Sequence, residues 1–255
     1  MDIKTLQNTW NELGKRDAFW SILTDSDKKD NKWNIEEFFS TGRKEITSII
    51  EYLKSLRINI QYKKALDFGC GVGRLTQALG YYFDEVYGVD ISPSMIELAE
   101  KYNSIGKKCK YSLNDNNDLH IFHDNTFDFI YSNLVLQHMK SKYSKKYIKE
   151  FIRILLPHGI LIFQQPSREK LVSHPNIGAK MKILIKKVIP STWIDLYRNK
   201  IQTKTDGEPK MEMYEIRTKE VLKLLKGQET KVIEIIEDPN WSPNWVNFQY
   251  VVTKE

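Results

Sequence analysis

The chain has 255 residues, 41% of them hydrophobic and 28% charged, with a formal net charge of +6. Such proportions exclude an intrinsically disordered polymer and suffice for a sizeable packed core. No apolar run approaches a membrane span, and Met1 to Trp10 lacks a basic-then-apolar leader pattern, so a cytosolic protein without membrane contact is expected.

Residues 1–60 read as helical and contain Trp10, Phe19, Trp20, Trp33, Phe38 and Phe39. So many aromatics imply packing on the core, and a lid over a ligand pocket is the functional expectation. From residue 63 strands and helices alternate, which predicts a mostly parallel sheet covered on both faces. The first strand is expected at 64–68. The helix after it carries a stripe of Leu75, Ala78, Leu79, Tyr82 and Phe83. A second strand at 85–89 leads to Ser92-Pro93, where Ser92 suits a helix cap and Pro93 the first helical position. Met95, Ile96, Leu98 and Ala99 form that helix's inner face.

A third strand, 108–113, precedes the polar loop Asn114-Asp115-Asn116-Asn117-Asp118, and a fourth spans 127–132. Tyr147, Ile148, Phe151, Ile152 and Leu155 make a helical stripe, which Pro157-His158-Gly159 is expected to stop before strand five at 160–165. The alternation then breaks. Residues 167–217 read as an insertion, with helices near 177–188 and 192–199 and a polar loop at 206–209. Thereafter Thr218 is expected to cap a helix that Gly227 ends, and strands at 231–236 and 246–252 pair antiparallel. The predicted fold is therefore a doubly wound α/β domain with a mostly parallel seven-stranded sheet and an antiparallel last strand. Its core is 61–166 with 218–255, flanked by an N-terminal helical lid and the 167–217 insertion.

Cys70 and Cys109 fall in no metal-ligand spacing and read as small buried residues; no metal site is expected. Lysine-rich stretches at 140–149 and 180–187 suit solvated helix faces or the attraction of an anionic substrate. No nucleic-acid module accompanies them.

The strongest motif is Asp67-Phe68-Gly69-Cys70-Gly71-Val72-Gly73, between a strand and a helix. Glycines there permit positive φ and close approach of a ligand to the main chain. A dinucleotide fingerprint would place its third glycine at position 74, which is Arg74. Asp67 would repel a pyrophosphate and favour a cationic ligand. Asp90 ends strand two, where a carboxylate accepts from ribose hydroxyls, and Asp115 follows strand three, where an adenine amino group would lie.

These segments resemble the Rossmann-like S-adenosylmethionine-dependent methyltransferases. The likeness covers Ala65 to Leu75, Val86 to Met95, Phe127 to Met139 and Leu155 to Leu161. It implies S-adenosylmethionine as cofactor and S-adenosylhomocysteine as product. Asp67 with Gly69, Cys70, Gly71, Gly73 and Arg74 would hold the methionine end, and Asp90 the ribose. Ile91 and Met95 would flank the adenine, and Asn114 and Asp115 would meet its amino group. Ser132 or Asn133 would offer backbone to the amino-acid part. The stretch Trp33 to Arg43 is similar to the N-terminal helical segment of a bacterial subgroup tied to cell-surface saccharide modification. Arg43 is the candidate partner of the cofactor carboxylate.

His138, just after strand four, is the candidate general base, with His174 and Tyr214 as alternatives. Gln137, Gln164, Gln165 and Arg168 are candidates for acceptor contact, whereas His158 lies at the opposite end of the sheet. The strand-four loop lacks an Asn-Pro-Pro-Tyr type motif, which disfavours methylation of amino groups on bases or glutamine. The leading expectation is O-methylation of a small polar acceptor, a sugar, nucleotide-sugar or phosphate-type precursor of a surface (capsule) polysaccharide, by a monomer or homodimer. Rival readings are a small-molecule N-methyltransferase, a nicotinamide oxidoreductase, disfavoured by Asp67 and Arg74, and a non-catalytic cofactor-binding scaffold.

Overall fold

Strand β1 (Lys64–Phe68) lies inside a seven-stranded sheet formed by the described residues of this computed structural model, which are 2–169, 209, 211–238 and 245–255. The other strands are β2 (Glu85–Asp90), β3 (Cys109–Leu113), β4 (Phe127–Ser132), β5 (Leu155–Glu169), β6 (Thr230–Asp238) and β7 (Trp245–Lys254). Their spatial order is β3-β2-β1-β4-β5-β7-β6. The first five are parallel, and β7 runs antiparallel to both β5 and β6. From β1 the chain winds outward to β2 and β3, then returns to place β4 on the other flank of β1. Strand order thus reverses between β1 and β4, and a ligand crevice opens beyond their carboxyl ends.

All six residues of β4 are buried, as expected of a strand covered on both faces. One face packs on α5 (Ser141–Ile154) and α6 (Thr218–Lys226), through Phe68, Tyr147, Phe151, Phe163 and Leu225. The other packs on α2 (Ile35–Ser55) and α3 (Arg74–Leu79), through Ile46, Ile50, Leu53, Leu79 and Phe129. Ile46, Ile50 and Leu53 follow the four-then-three spacing that gives a helix one apolar stripe. α1 (Ile3–Ile22) and α2 bring Ala18, Phe38 and Phe39 against Val72 and Met95, with Trp10, Phe19 and Trp33 packed on them; Trp20 stays outside this cluster, its indole donating to the Asp25 carbonyl. α4 (Pro93–Lys101) begins with Pro93 behind Ser92, whose side chain accepts from the Met95 amide.

Three local expectations need correction. α5 ends at Ile154, and Leu155 opens β5 rather than closing the helical stripe. Leu155 pairs with Phe127 and Ile160 with Phe129, so the Pro157-His158-Gly159 segment is a bulge inside β5, with His158 at φ 63°. Tyr82 and Phe83 lie beyond the end of α3 at Leu79, although Phe83 is buried. Thr218 is the first residue of α6 and not its cap. Its amide and hydroxyl both donate to Ser167 Oγ, at 3.1 and 3.0 Å, so a tertiary contact replaces the local cap. The helices expected at 177–188 and 192–199, His174 and the loop residues 206–208 lie outside the described residues. Among those described, no helix is long and apolar enough to cross a membrane.

Candidate cofactor and acceptor site

A cavity of about 690 Å³ opens at the crevice, a volume typical of small-molecule sites. Its floor is the glycine turn. The Gly69 and Cys70 amides donate to the Val89 carbonyl at 2.8 and 3.0 Å, locking the turn to β2. Gly69 and Gly71 have φ of 76° and 52°. A Cβ at Gly69 would sit 2.3 Å from Val135, and one at Gly71 would sit 2.5 Å from Ile22 at the end of α1. Both positions therefore require glycine on backbone and steric grounds.

Asp90 lines the cavity at the end of β2. Its Oδ2 accepts from the Gly71 amide at 2.9 Å and its Oδ1 from the Ser92 amide at 2.8 Å. Burial raises its carboxyl above the ordinary range, against the lowering effect of these backbone donors. Each oxygen retains a lone pair for a ligand hydroxyl. Ile91 and Met95 line the same region. Of the pair after β3, only Asn114 reaches the cavity; Asp115 is exposed and does not line it. Asn114 is 3% exposed and its Nδ2 donates to the Asp118 carbonyl at 3.0 Å. Its Oδ1 is buried with no hydrogen-bond partner among the described residues, an acceptor that a ligand amino group would satisfy.

Asp67 does not touch the cavity. It is buried behind the turn, where Oδ2 accepts from Thr76 Oγ1 at 2.6 Å. Burial pushes its carboxyl up to about 7, against the lowering effects of that hydrogen bond and of Arg74. Any influence of Asp67 on a ligand in the cavity would act through its field rather than by contact. Cys70 lines the cavity, and burial pushes its thiol upward, so it remains protonated. Ser132 is buried and donates to the Phe68 carbonyl at 3.3 Å, while Asn133 faces the cavity.

Arg74 lines the cavity at 4% exposure, whereas Arg43 does not line it and instead pairs with Glu36 on the outer face of α2. The arginine at the glycine turn is thus Arg74. Its Nη2 pairs with Glu45 Oε2 at 2.9 Å, and its Nε is buried without a partner among the described residues.

His138 is buried in the cavity wall, in edge contact with Trp10 at 5.0 Å between ring centroids. Its Nδ1 lies 3.0 Å from the Glu212 carbonyl oxygen. A carbonyl only accepts, so Nδ1 carries the proton, and Nε2 accepts from Gln137 Nε2 at 3.2 Å. Burial drops the imidazole to about 4, with the Glu212 bond acting the other way, so it is neutral at pH 7. Gln137 also lines the cavity, and its Oε1 has no partner among the described residues.

Gln164 and Gln165 are brought close but not into the cavity. Gln164 accepts from the Leu134 amide at 3.0 Å and donates to Asn247, and Gln165 donates to the Tyr214 carbonyl at 3.2 Å. Tyr214 likewise does not line it; its amide donates to the Gln137 carbonyl at 2.7 Å and its hydroxyl to Glu212. These residues fasten the loop after β4 to β5 and to residues 211–216. Arg168 stands in β5, paired with Val246. Sequence reasoning missed Glu45, Ile22, Met211 and Met213. The first is a polar residue on an amphipathic helix, like its neighbours. The methionines carry only a two-residue spacing, which in a strand-like segment puts both on one side.

Residues 66–163 match the family described as "Methyltransferase domain". Phosphoethanolamine N-methyltransferase 3 of Arabidopsis thaliana is 31% identical over 150 residues, covering 58% of this chain and 29% of that protein. The chain therefore spans about three-tenths of that relative's length. Among solved structures, magnesium protoporphyrin IX methyltransferase from Synechocystis, with bound S-adenosylhomocysteine, superposes with a TM-score of 0.63 at 16% identity over 100% of both chains. Phosphoethanolamine N-methyltransferase 1 of Haemonchus contortus superposes with a TM-score of 0.65 at 14% identity, over 99% of this chain and 49% of that one. With the reversal of strand order, the glycine turn and the cavity above it, these matches show that residues 66–163 carry a methyltransferase domain on a Rossmann-like fold, similar to S-adenosylmethionine-dependent enzymes.

Proposed function

We propose that the protein methylates a nitrogen of a small molecule, with S-adenosylmethionine as methyl donor. The observation that carries this reading is the state of His138. Its pKa of about 4 and its engaged nitrogens make it a poor general base, and an amine with a free lone pair needs none. Gln137 Oε1, which has no partner among the described residues, offers an acceptor for an amine N–H in the same wall. The relatives named for phosphoethanolamine N-methylation support the same class of acceptor.

The residues present fit the cofactor. Asn114 Oδ1 takes the adenine amino group, Ile91 and Met95 flank the ring, and Asp90 accepts from the ribose hydroxyls. The glycine turn, Asn133 and Arg74 receive the methionine end, with Asp67 contributing negative potential from behind. When bound, S-adenosylmethionine supplies a methyl group on a positively charged sulfur, which departs as a neutral thioether. The chain's own work is then to hold the nucleophile in line and keep water out. α1, with Ile22 at its end over Gly71 and Trp10 in its first half against His138, acts as the lid.

O-methylation of a sugar or nucleotide-sugar is the second reading. It rests on the Trp33 to Arg43 likeness, the net positive charge and the position of the His138 imidazole in the wall. Incubation with S-adenosylmethionine and two acceptor panels separates the readings by mass spectrometry. One panel holds phosphoethanolamine and other small primary amines; the other holds sugar phosphates and nucleotide-sugars. N-methylation is expected, with a rate that follows the amine's own ionisation and is retained in His138→Asn, whose amide keeps a donor near the Nδ1 position. Methylation of a hydroxyl, abolished in both His138→Asn and His138→Gln, would establish the second reading. Binding of the cofactor with turnover on neither panel would point to a scaffold.

A further inference from the structure

Glu45 lies on α2, far in sequence from the motifs that form the site, yet three groups around the site converge on it. Its Oε1 accepts from Tyr131 Oη at 2.9 Å and from Asn133 Nδ2 at 2.8 Å. Its Oε2 pairs with Arg74 Nη2 at 2.9 Å. Tyr131 and Asn133 belong to β4 and the residues just after it, and Arg74 opens α3 behind the glycine turn. One carboxylate thus ties the N-terminal helices to both sides of the crevice.

Two of the three partners, Arg74 and Asn133, line the cavity, whereas Glu45 itself does not. Thr41, one turn earlier on α2, accepts from Arg74 Nη1 at 3.3 Å, so the guanidinium is held from two positions on one helix. The approach is close because residue 42 is glycine: a Cβ there would lie 2.4 Å from the Arg74 carbonyl oxygen. With its terminal nitrogens held in this way, Arg74 keeps a buried Nε–H that has no partner among the described residues. A buried donor without an acceptor is costly, and a carboxylate is the strongest acceptor for a guanidinium.

We infer that Glu45 is a positioning residue for the methionine end of the site: it orients Arg74 and Asn133 so that they receive the amino-acid group of the cofactor. The inference rests on the cofactor reading above. The side chain of Asn133 is committed to Glu45, which leaves its backbone to face the ligand. The Arg74–Glu45 pair is complete within the chain's own residues, so little side-chain freedom remains to be lost on binding.

Three roles for Glu45 differ in their consequences. If it acted only through its charge, neutralising it would strengthen binding of the ligand's carboxylate by Arg74. A merely structural role would weaken every ligand of the cavity alike. Positioning weakens ligands that possess the amino-acid part and spares those that lack it.

The test is calorimetric titration of the full chain and of Glu45→Gln with S-adenosylhomocysteine and with 5′-methylthioadenosine, which has the same nucleoside but no amino-acid group. Loss of one charge-assisted contact predicts about tenfold weaker binding of S-adenosylhomocysteine by the variant and unchanged binding of 5′-methylthioadenosine. Glu45→Asp, with the same charge drawn back by one methylene, is expected to show the same selective loss and serves if Glu45→Gln does not fold. Arg74→Gln combined with Glu45→Gln should lose no more than the larger single effect, because the two act as a unit. Equal loss for both ligands, no loss, or tighter binding of S-adenosylhomocysteine would overturn the inference and leave the cofactor reading intact. Failure of the unaltered protein to bind S-adenosylhomocysteine would overturn both.

Discussion

Asp67 stands where chemistry and stability pull in opposite directions. The carboxyl is buried behind the glycine turn and its pKa is pushed up to about 7 by loss of hydration. An acid whose folded pKa lies above its unfolded value of 3.8 stabilises the fold most at low pH, and that contribution is lost as pH rises through about 7. The isosteric Asp67→Asn keeps an oxygen that can accept from Thr76 and removes the titration. Its melting temperature relative to the parent is therefore expected to improve between pH 5 and pH 8, by the equivalent of roughly 1–3 kcal/mol at the upper end. A pH-independent difference would mean that the group is ionised throughout. The site's acids were legible in the strand-end pattern, but their division of labour was not. Asp90 faces the cavity, Asp67 lies behind it, and Asp115 faces solvent while its neighbour Asn114 turns inward. Which of two adjacent polar residues points inward depends on the loop's path, and that path is fixed by Tyr147 donating to the Asn116 carbonyl at 2.5 Å across from α5.

At the scale of elements, α2 shows how a surface-like sequence becomes part of a site. Its apolar stripe seats it on the sheet face, as periodicity indicates. The azimuth and closeness of that seating depend on Gly42, which lets the helix backbone meet the start of α3. Gly42→Ala would place a methyl against the Arg74 carbonyl, a backbone atom that cannot step aside locally. The expected outcome is destabilisation of about 1–3 kcal/mol, as for overpacking in a core, despite alanine's better helix propensity. Chemical denaturation measures it, and a stability gain would show that α2 is free to withdraw. β1 and β4 were legible to their ends because burial on both faces makes them mostly apolar runs. The start of β5 was not, since Leu155 satisfies a helical stripe as well as a strand. Its choice is made by pairing with Phe127.

For the molecule as a whole, the cavity joins elements distant in the chain: α1, the glycine turn, the ends of β2 and β4, and residues 211–213. A ligand that binds there should stabilise all of them together. S-adenosylhomocysteine at 100 times its dissociation constant is expected to add about 2.7 kcal/mol, equivalent to roughly 5–10 °C in melting temperature for a chain of this size. A thermal scan with and without it, and with NAD as comparison, checks this; a shift with NAD alone would reverse the choice of cofactor. The sequence by itself determined the sheet's class, the glycine turn and the cavity-lining acid at the end of β2, because these depend on short-range patterns: alternation of elements, positive-φ glycines and an acid at a strand end. Only the tertiary structure decided that Arg43 turns away from the cavity that Arg74 lines, that Glu45 holds Arg74, and that His138 is neutral with both nitrogens engaged. The Arg74–Glu45 pair spans 29 residues of chain and the His138–Glu212 contact 74, and these, with burial, are what no local pattern encodes.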